Sequence, residues 1–340
     1  MTAPGAGLHY GPMEFGFGPI QSEPAFQRML RQAALAESLG FDTLWAHEHH
    51  SLGIMYPSPL MALAALTGVT RRARLGTNML LLPLYHPLRV AEDAAMVDVL
   101  SGGRLVLGVS SGYARADLGA FGVKPAERPR LMEEGIRLIR TVWTGDKVSA
   151  DIARCQLRDY TLFPRPLQRP SPPIVVGALA DRAIERAARL GDGYVLSAGA
   201  TIDEIRHRIG VYRGALSAAG KDPAARRPLA VNRVVHVARD RAGAEWAEKF
   251  FAEQFLSAYD RWGHADVARL GRDERLFAET SRRHFIIGEP SQCVERIHEY
   301  AEMAIGHIAC LMNFGKPDPS LAEESLRRFG EHVLPRCAHL

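Results

Sequence analysis

The feature that most constrains this chain is a rhythm. Short apolar runs suited to buried strands alternate with longer stretches of helical spacing, and the pair recurs eight times. Met13 to Gly18 reads as the first strand. From Glu23 to Leu39, apolar Phe26, Met29, Leu30, Ala33 and Ala36 recur at helical spacing, and Gly40 stops the helix. Thr43 to His47 is the second strand, and Pro57, Ser58 and Pro59 open a helix that runs to Thr70. Arg74 to Leu82 is apolar enough for a strand covered on both faces. Pro87 to Leu100 is a helix with proline in its first turn, Arg104 to Ser110 the fourth strand, and Arg128 to Thr144 an amphipathic helix.

The rhythm breaks over 145–173, where Pro164, Pro166, Pro170, Pro172 and Pro173 exclude a helix and suggest a β-hairpin extension. It resumes with strands Ile174 to Gly177 and Gly193 to Ser197, each followed by a helix, Asp181 to Leu190 and Ile202 to Ala219. Leu229 to Ala238 is the seventh strand and Arg241 to Tyr259 its helix. Arg261 to Arg283 is polar and weakly periodic, and reads as an excursion. A helix from Glu289 and Pro290 to Ala304, the eighth strand Gly306 to Asn313, and a last helix Ser320 to Val333 close the pattern.

Eight strand–helix pairs match a (β/α)8 TIM barrel, expected as one domain over residues 1–340. A doubly wound sheet with a second domain would need a composition break near the middle, and the proline-rich segment is too short for that. The remaining composition excludes several function classes. A net charge of +4 with scattered arginines gives no basic stripe for nucleic acid. Cys155, Cys293, Cys310 and Cys337 lie far apart without a CxxC pair, as free thiols of a reducing compartment do. Residues 1–11 lack the basic start and apolar run of a signal peptide, and no apolar run approaches the roughly 20 residues of a membrane span. The expectation is a soluble, cytoplasmic protein.

In such a barrel, chemistry gathers where strands end. The second strand runs into Glu48, His49 and His50, and histidine has the side chain best placed to exchange protons near neutrality. A surface turn before a helix is the plainer account of the same residues. Asn78 and Met79 lie within the third strand, where a polar Asn needs a buried partner. Ser110, Ser111 and Gly112 close the fourth strand. The loop Gly177 to Arg182 joins the fifth strand to its helix. Its small residues Ala178, Leu179 and Ala180, the helix N-terminus and Arg182 suit an anion, although an ordinary loop with a solvated arginine fits too. No Walker loop or GxGxxG follows the first strand, which weakens an NAD reading. A barrel metal hydrolase drawing on His47, His49, His50, His86 or His236 stays open. Adjacent histidines diverge on extended backbone, which disfavours shared chelation.

In order along the chain, GFDTLWAHEHH (Gly40 to His50), PLYHPLRVAEDAAMVDVLSGGRLVLGVSSGY (Pro83 to Tyr113), WTG (Trp143 to Gly145), LFPRPLQRPSPPIVVG (Leu162 to Gly177), AARLGDGYVLS (Ala187 to Ser197) and IIGEPSQC (Ile286 to Cys293) resemble the bacterial luciferase family of flavin-dependent monooxygenases. The resemblance implies a TIM barrel with an inserted hairpin and a mobile lid over 261–283. It implies a two-component enzyme in which a separate flavin reductase supplies reduced FMN. Oxygen would add at C4a to give a peroxyflavin that oxygenates a small organic substrate. By the same likeness His49 is the catalytic histidine with His50 beside it, and Asn78 and Met79 hold a non-prolyl cis peptide beneath the flavin ring. The loop Ala178 to Arg182 would receive the phosphate. Ser110 and Ser111 stand where the luciferase α subunit has a reactive cysteine and a phosphate-binding arginine, so that role passes to Arg182. Ala198 and Phe255 replace expected tryptophans, so light emission is not implied. A homodimer through the first helices is expected. The alternatives are a deazaflavin-dependent hydride-transfer enzyme on the same barrel and a flavin-binding protein without catalysis.

Overall fold

A computed structural model describes residues 13–18, 26–50, 55–223, 229–262, 283–315 and 318–340. Eight parallel strands close a barrel: β1 (Glu14–Phe17), β2 (Thr43–Ala46), β3 (Arg74–Thr77), β5 (Leu105–Ser110), β8 (Ile174–Gly177), β9 (Gly193–Leu196), β10 (Leu229–Val237) and β12 (His307–Leu311). β10 completes the circle by pairing with both β9 and β12. Two short strands lie off this ring, β4 (Leu80–Leu81) beside β5 and β11 (Ile286–Gly288) beside β10. The expected hairpin is present as the antiparallel pair β6 (Val148–Ile152) and β7 (Cys155–Tyr160).

The helices that pack outside the ring are α1 (Phe26–Ser38), α2 (Pro59–Leu66), α3 (Pro87–Ser101), α5 (Arg128–Thr144), α6 (Asp181–Leu190), α7 (Ile202–Ala218), α8 (Arg241–Trp262), α9 (Pro290–Glu302), α10 (Pro319–Arg328) and α11 (Leu334–Cys337). Their apolar stripes meet the outer face of the strands. Leu44, Leu75, Leu105, Leu107, Ile174 and Val176 are buried there against Ala94, Ile139 and Ile184. None of the helices among the described residues is long and apolar enough to cross a membrane.

Inside the ring, side chains alternate inward with the pleat. Trp45 fills the axis with Val106, Val175, Val195, Ala230 and Ala309 around it. Its indole needs the bare backbone of its neighbours. A Cβ on Gly16 or Gly76 would lie 2.1 Å or 2.2 Å from the ring. The indole N–H donates to Nε2 of His307 at 2.9 Å, so its polar edge is satisfied within the core.

Three departures from the sequence reading bear on function. The third strand does not run unbroken to Leu82: it stops at Thr77, and a cis peptide joins Asn78 to Met79 before β4 begins. The second helix ends at Leu66 rather than Thr70, where the Thr67 and Thr70 hydroxyls turn back onto backbone carbonyls. A short helix, α4 (Arg115–Ala120), follows β5 where no helix is legible. The expected lid over 261–283 falls almost wholly outside the described residues, as does the start, 1–12.

Candidate active site

The carboxyl ends of the strands enclose a cavity of about 430 Å³, within the usual range for a ligand or cofactor site. Its floor is built at the break in the third strand. Met79 lies across two glycines: a Cβ on Gly177 would meet its Cγ at 2.8 Å, and one on Gly108 would meet its Cε at 3.0 Å and the Thr77 carbonyl at 2.0 Å. Asn78 is buried and is partnered by the half-buried Asn232. Its amide donates to Oδ1 of Asn232 at 2.6 Å, and Asn232 in turn donates to the Leu196 carbonyl at 3.2 Å.

The end of β2 divides its titratable groups between two tasks. Glu48 is 3% exposed. Its carboxylate accepts from the Leu81 N–H at 2.9 Å, the Tyr85 hydroxyl at 3.0 Å and His50 Nε2 at 2.9 Å. That is an anchor across three segments, and it explains a residue whose sequence context says little. His50 packs on Phe121 with ring centroids 4.6 Å apart, and it is not part of the cavity wall. The bond to Glu48 raises its pKa against an opposing effect of burial, with the charges of Glu48 and Asp117 adding to the rise.

His49 does face the cavity. Its Nδ1 lies 3.4 Å from Oδ2 of Asp117, on α4, and its Nε2 lies 3.2 Å from the Tyr113 hydroxyl. His47 sits two residues earlier, packed against Gly18. Burial holds its pKa down to about 4, opposed by the Asn232 side chain and reinforced by the charge of His49. Its Nε2 is buried without a hydrogen-bond partner.

Ser110, Ser111, Ala178, Leu179 and Ala180 line the cavity as expected. The N-terminus of α6 has no side-chain cap, which leaves a dipole end suited to an anion. Arg182 does not join them. It is exposed in the first turn of α6, while Ala183, one helical step on, turns inward. The arginine in the wall is Arg128, at the start of α5, which donates to the Gly112 carbonyl. Burial, helped by Arg115, lowers its pKa from the ordinary arginine value. Asp117, Tyr113, Arg128 and Asn232 all escape the sequence reading. Only Asn232 carries a local signal, a polar residue in an apolar strand.

No cluster of three or more His, Cys, Asp or Glu side chains able to hold a metal occurs among the described residues. The four cysteines are buried free thiols. The donors that do line the cavity form a floor of methionine and amides, a cation beside a small-residue loop, and a histidine with partners on both nitrogens. This set fits a planar heteroaromatic group carrying a phosphate.

Comparison with known proteins gives the same direction. The family described as luciferase-like monooxygenase matches residues 3–307. Monooxygenase RslO1 from Streptomyces bottropensis superposes with a TM-score of 0.82 at 29% identity, covering 95% of this chain and 99% of that one. The F420-dependent glucose-6-phosphate dehydrogenase of Microbacterium testaceum is 28% identical over 96% of this chain and 97% of its own. The oxygenase component of the flavin-dependent trigonelline monooxygenase of Acinetobacter baylyi is 27% identical over 91% and 89%.

Proposed function

We propose, from the premise that this chain belongs to the luciferase-like monooxygenase family, that it is the oxygenase of a two-component system. It takes reduced FMN from a separate flavin reductase and uses oxygen to oxygenate a small organic substrate. The observation that carries the reading is the cavity itself. Arg128 and the loops at Ser110–Ser111 and Ala178–Ala180 offer an anion site, and Asn78 and Met79 a flat floor, in one space with His49.

Bound there, reduced FMN supplies the electrons that activate oxygen. The residues divide the remaining work. Arg128, Ser110, Ser111 and the α6 N-terminus hold the phosphate. Asn78, fixed by Asn232, and Met79, seated on Gly108 and Gly177, support the ring. His49 exchanges a proton at Nε2, with Asp117 behind it. His50 acts through Glu48, by holding the turn that presents His49. The reading includes one barrel domain, a homodimer and a cytoplasmic location, the last supported by four cysteines that stay unpaired.

Hydride transfer with F420 is the second reading, favoured by the F420-dependent relative. Anaerobic titration of the protein with photoreduced FMN and, separately, with F420 distinguishes them. Tight binding of reduced FMN, followed by rapid reoxidation on mixing with oxygen, is expected. Tight F420 binding with no oxygen reaction would replace the first reading by the second. His49→Gln should slow substrate oxygenation by about 10² to 10⁴ with FMN affinity unchanged. Loss of FMN binding in that variant would make His49 a binding residue instead.

A further inference from the structure

The two nitrogens of His49 are not equivalent, and the difference decides what the cavity asks of its substrate. A carboxylate can only accept a hydrogen bond, so the ring nitrogen facing Asp117, Nδ1, carries the proton in the neutral imidazole. Nε2 is then an acceptor. The contact of 3.2 Å between Nε2 and the Tyr113 hydroxyl therefore requires the phenol to donate. A hydroxyl has one proton, and that of Tyr113 is committed to His49. Toward the cavity, which Tyr113 lines, its oxygen can only accept.

From this chain of hydrogen bonds we propose that the substrate presents a hydroxyl group, phenolic or enolic, to Tyr113, rather than the carbonyl of an aldehyde or ketone. Tyr113 is then the catalytic residue that touches substrate, and Asp117 a positioning residue that acts through His49. The proton step balances without an added reagent. The substrate O–H proton passes to the Tyr113 oxygen while the Tyr113 proton passes to His49 Nε2. An electron-rich substrate oxyanion is left, with an imidazolium facing Asp117. The body of the substrate meets an apolar wall. Met55, Ala198 and Leu311 line the cavity near Tyr113, and Met55 and Tyr113 pack on the cluster that holds Phe255 and Phe314.

The proposal rests on this cavity being the catalytic site of the preceding reading, but it does not depend on which cofactor occupies it. Binding of 2-naphthol, 2-methoxynaphthalene and 2-acetylnaphthalene to the whole protein, measured by calorimetry at pH 7 with and without FMN, tests it. Naphthol should bind at least about tenfold tighter than its methyl ether or the ketone. Tyr113→Phe should bring the three within about twofold, because the acceptor is gone. Asp117→Asn frees the imidazole to carry its proton on Nε2 and lets Tyr113 donate, so the ketone should gain on naphthol. An ether or ketone that matches naphthol in the wild type, no binding by any of the three, or a Tyr113→Phe protein that keeps the preference overturns the proposal. So does an Asp117→Asn protein with unchanged ratios. FMN titration of the same samples reports the cofactor separately. A hydroxyl preference without FMN binding would refute the FMN reading and leave this one standing.

Discussion

The two ends of the barrel use buried charge in opposite ways. At the amino ends of the strands three carboxylates, Glu14, Asp98 and Asp192, are each matched within a closed network. Arg74 grips Glu14 with both guanidinium nitrogens at 2.9 and 3.0 Å. Asp98 accepts from the Leu167 and Gln168 N–H groups at 2.7 and 3.1 Å and from the Gln168 amide at 2.6 Å. Asp192 holds Arg140 at 2.7 Å and the Ile174 N–H at 2.8 Å. At the carboxyl ends Glu48 is as fully matched, but other groups there are not. Arg128 leans on a carbonyl rather than a carboxylate, and His47 keeps a buried nitrogen without a partner. The closed end supplies stability. The open end holds groups whose hydrogen bonds a ligand can complete.

That contrast can be broken, starting with the largest effect. Asp98→Ala strips a buried acceptor from a buried donor on β5 and from part-buried donors on the segment after the hairpin. Urea denaturation should show a loss of about 4 kcal/mol, with FMN affinity of the folded protein unchanged. A loss under about 1 kcal/mol would mean that the closed end does not carry stability.

Next comes acid. The folded protein keeps His47 neutral down to about pH 4, whereas the unfolded chain takes up that proton near 6.5. The unfolded state therefore binds more protons in this window, and stability falls as the pH drops from 6.5 toward 4. The cost approaches about 3 kcal/mol, the value of a shift of this size. Stability curves of wild type and His47→Gln should diverge across that window, and parallel curves would place the neutral imidazole elsewhere.

The third comparison sets two arginines against each other. Arg128→Ala should weaken FMN binding by about ten- to a hundredfold, while Arg182→Ala, on an exposed side chain, should change it by less than about twofold. The reverse order would restore Arg182 as the phosphate residue.

The smallest effect belongs to His50. Its pKa is raised by Glu48, so the charged pair stabilises the protein below the ordinary value of 6.5 and loses that contribution as the pH rises through the elevated value. Wild type should exceed His50→Gln by less than about 1 kcal/mol at pH 6 and converge with it at higher pH. A gap that persists at high pH would mean packing on Phe121, not charge, is what His50 supplies.

How much of this was legible in the chain follows the range of each interaction. The strand–helix alternation is local and repeated, so the barrel and its hairpin could be read directly. The residues at strand ends could be read too, because closure of the barrel brings β2, β3, β5 and β8 to one mouth whatever the side chains do. What could not be read depends on partners far along the chain. Glu48 meets Leu81 and Tyr85, 33 and 37 residues away. Asp117 reaches His49 across 68 residues from a helix of six, too short and polar to show a period. The choice of Arg128 over Arg182 turns on a single helical step of about 100°. Charge beside a small-residue loop marked Arg182 alone, and only the orientation of α5 and α6 turns Arg182 to the exterior and brings Arg128 into the wall.

The placement of Trp45 carries a practical consequence. The indole is 2% exposed on the barrel axis, a single layer beneath the cavity floor, and hydrogen-bonded to His307. A fluorophore so shielded emits at short wavelength, and a flavin overhead absorbs at those wavelengths. Arrival of the cofactor should therefore dim the protein's own ultraviolet emission by energy transfer. Such dimming would give the barrel its own optical gauge of flavin occupancy, readable without a label.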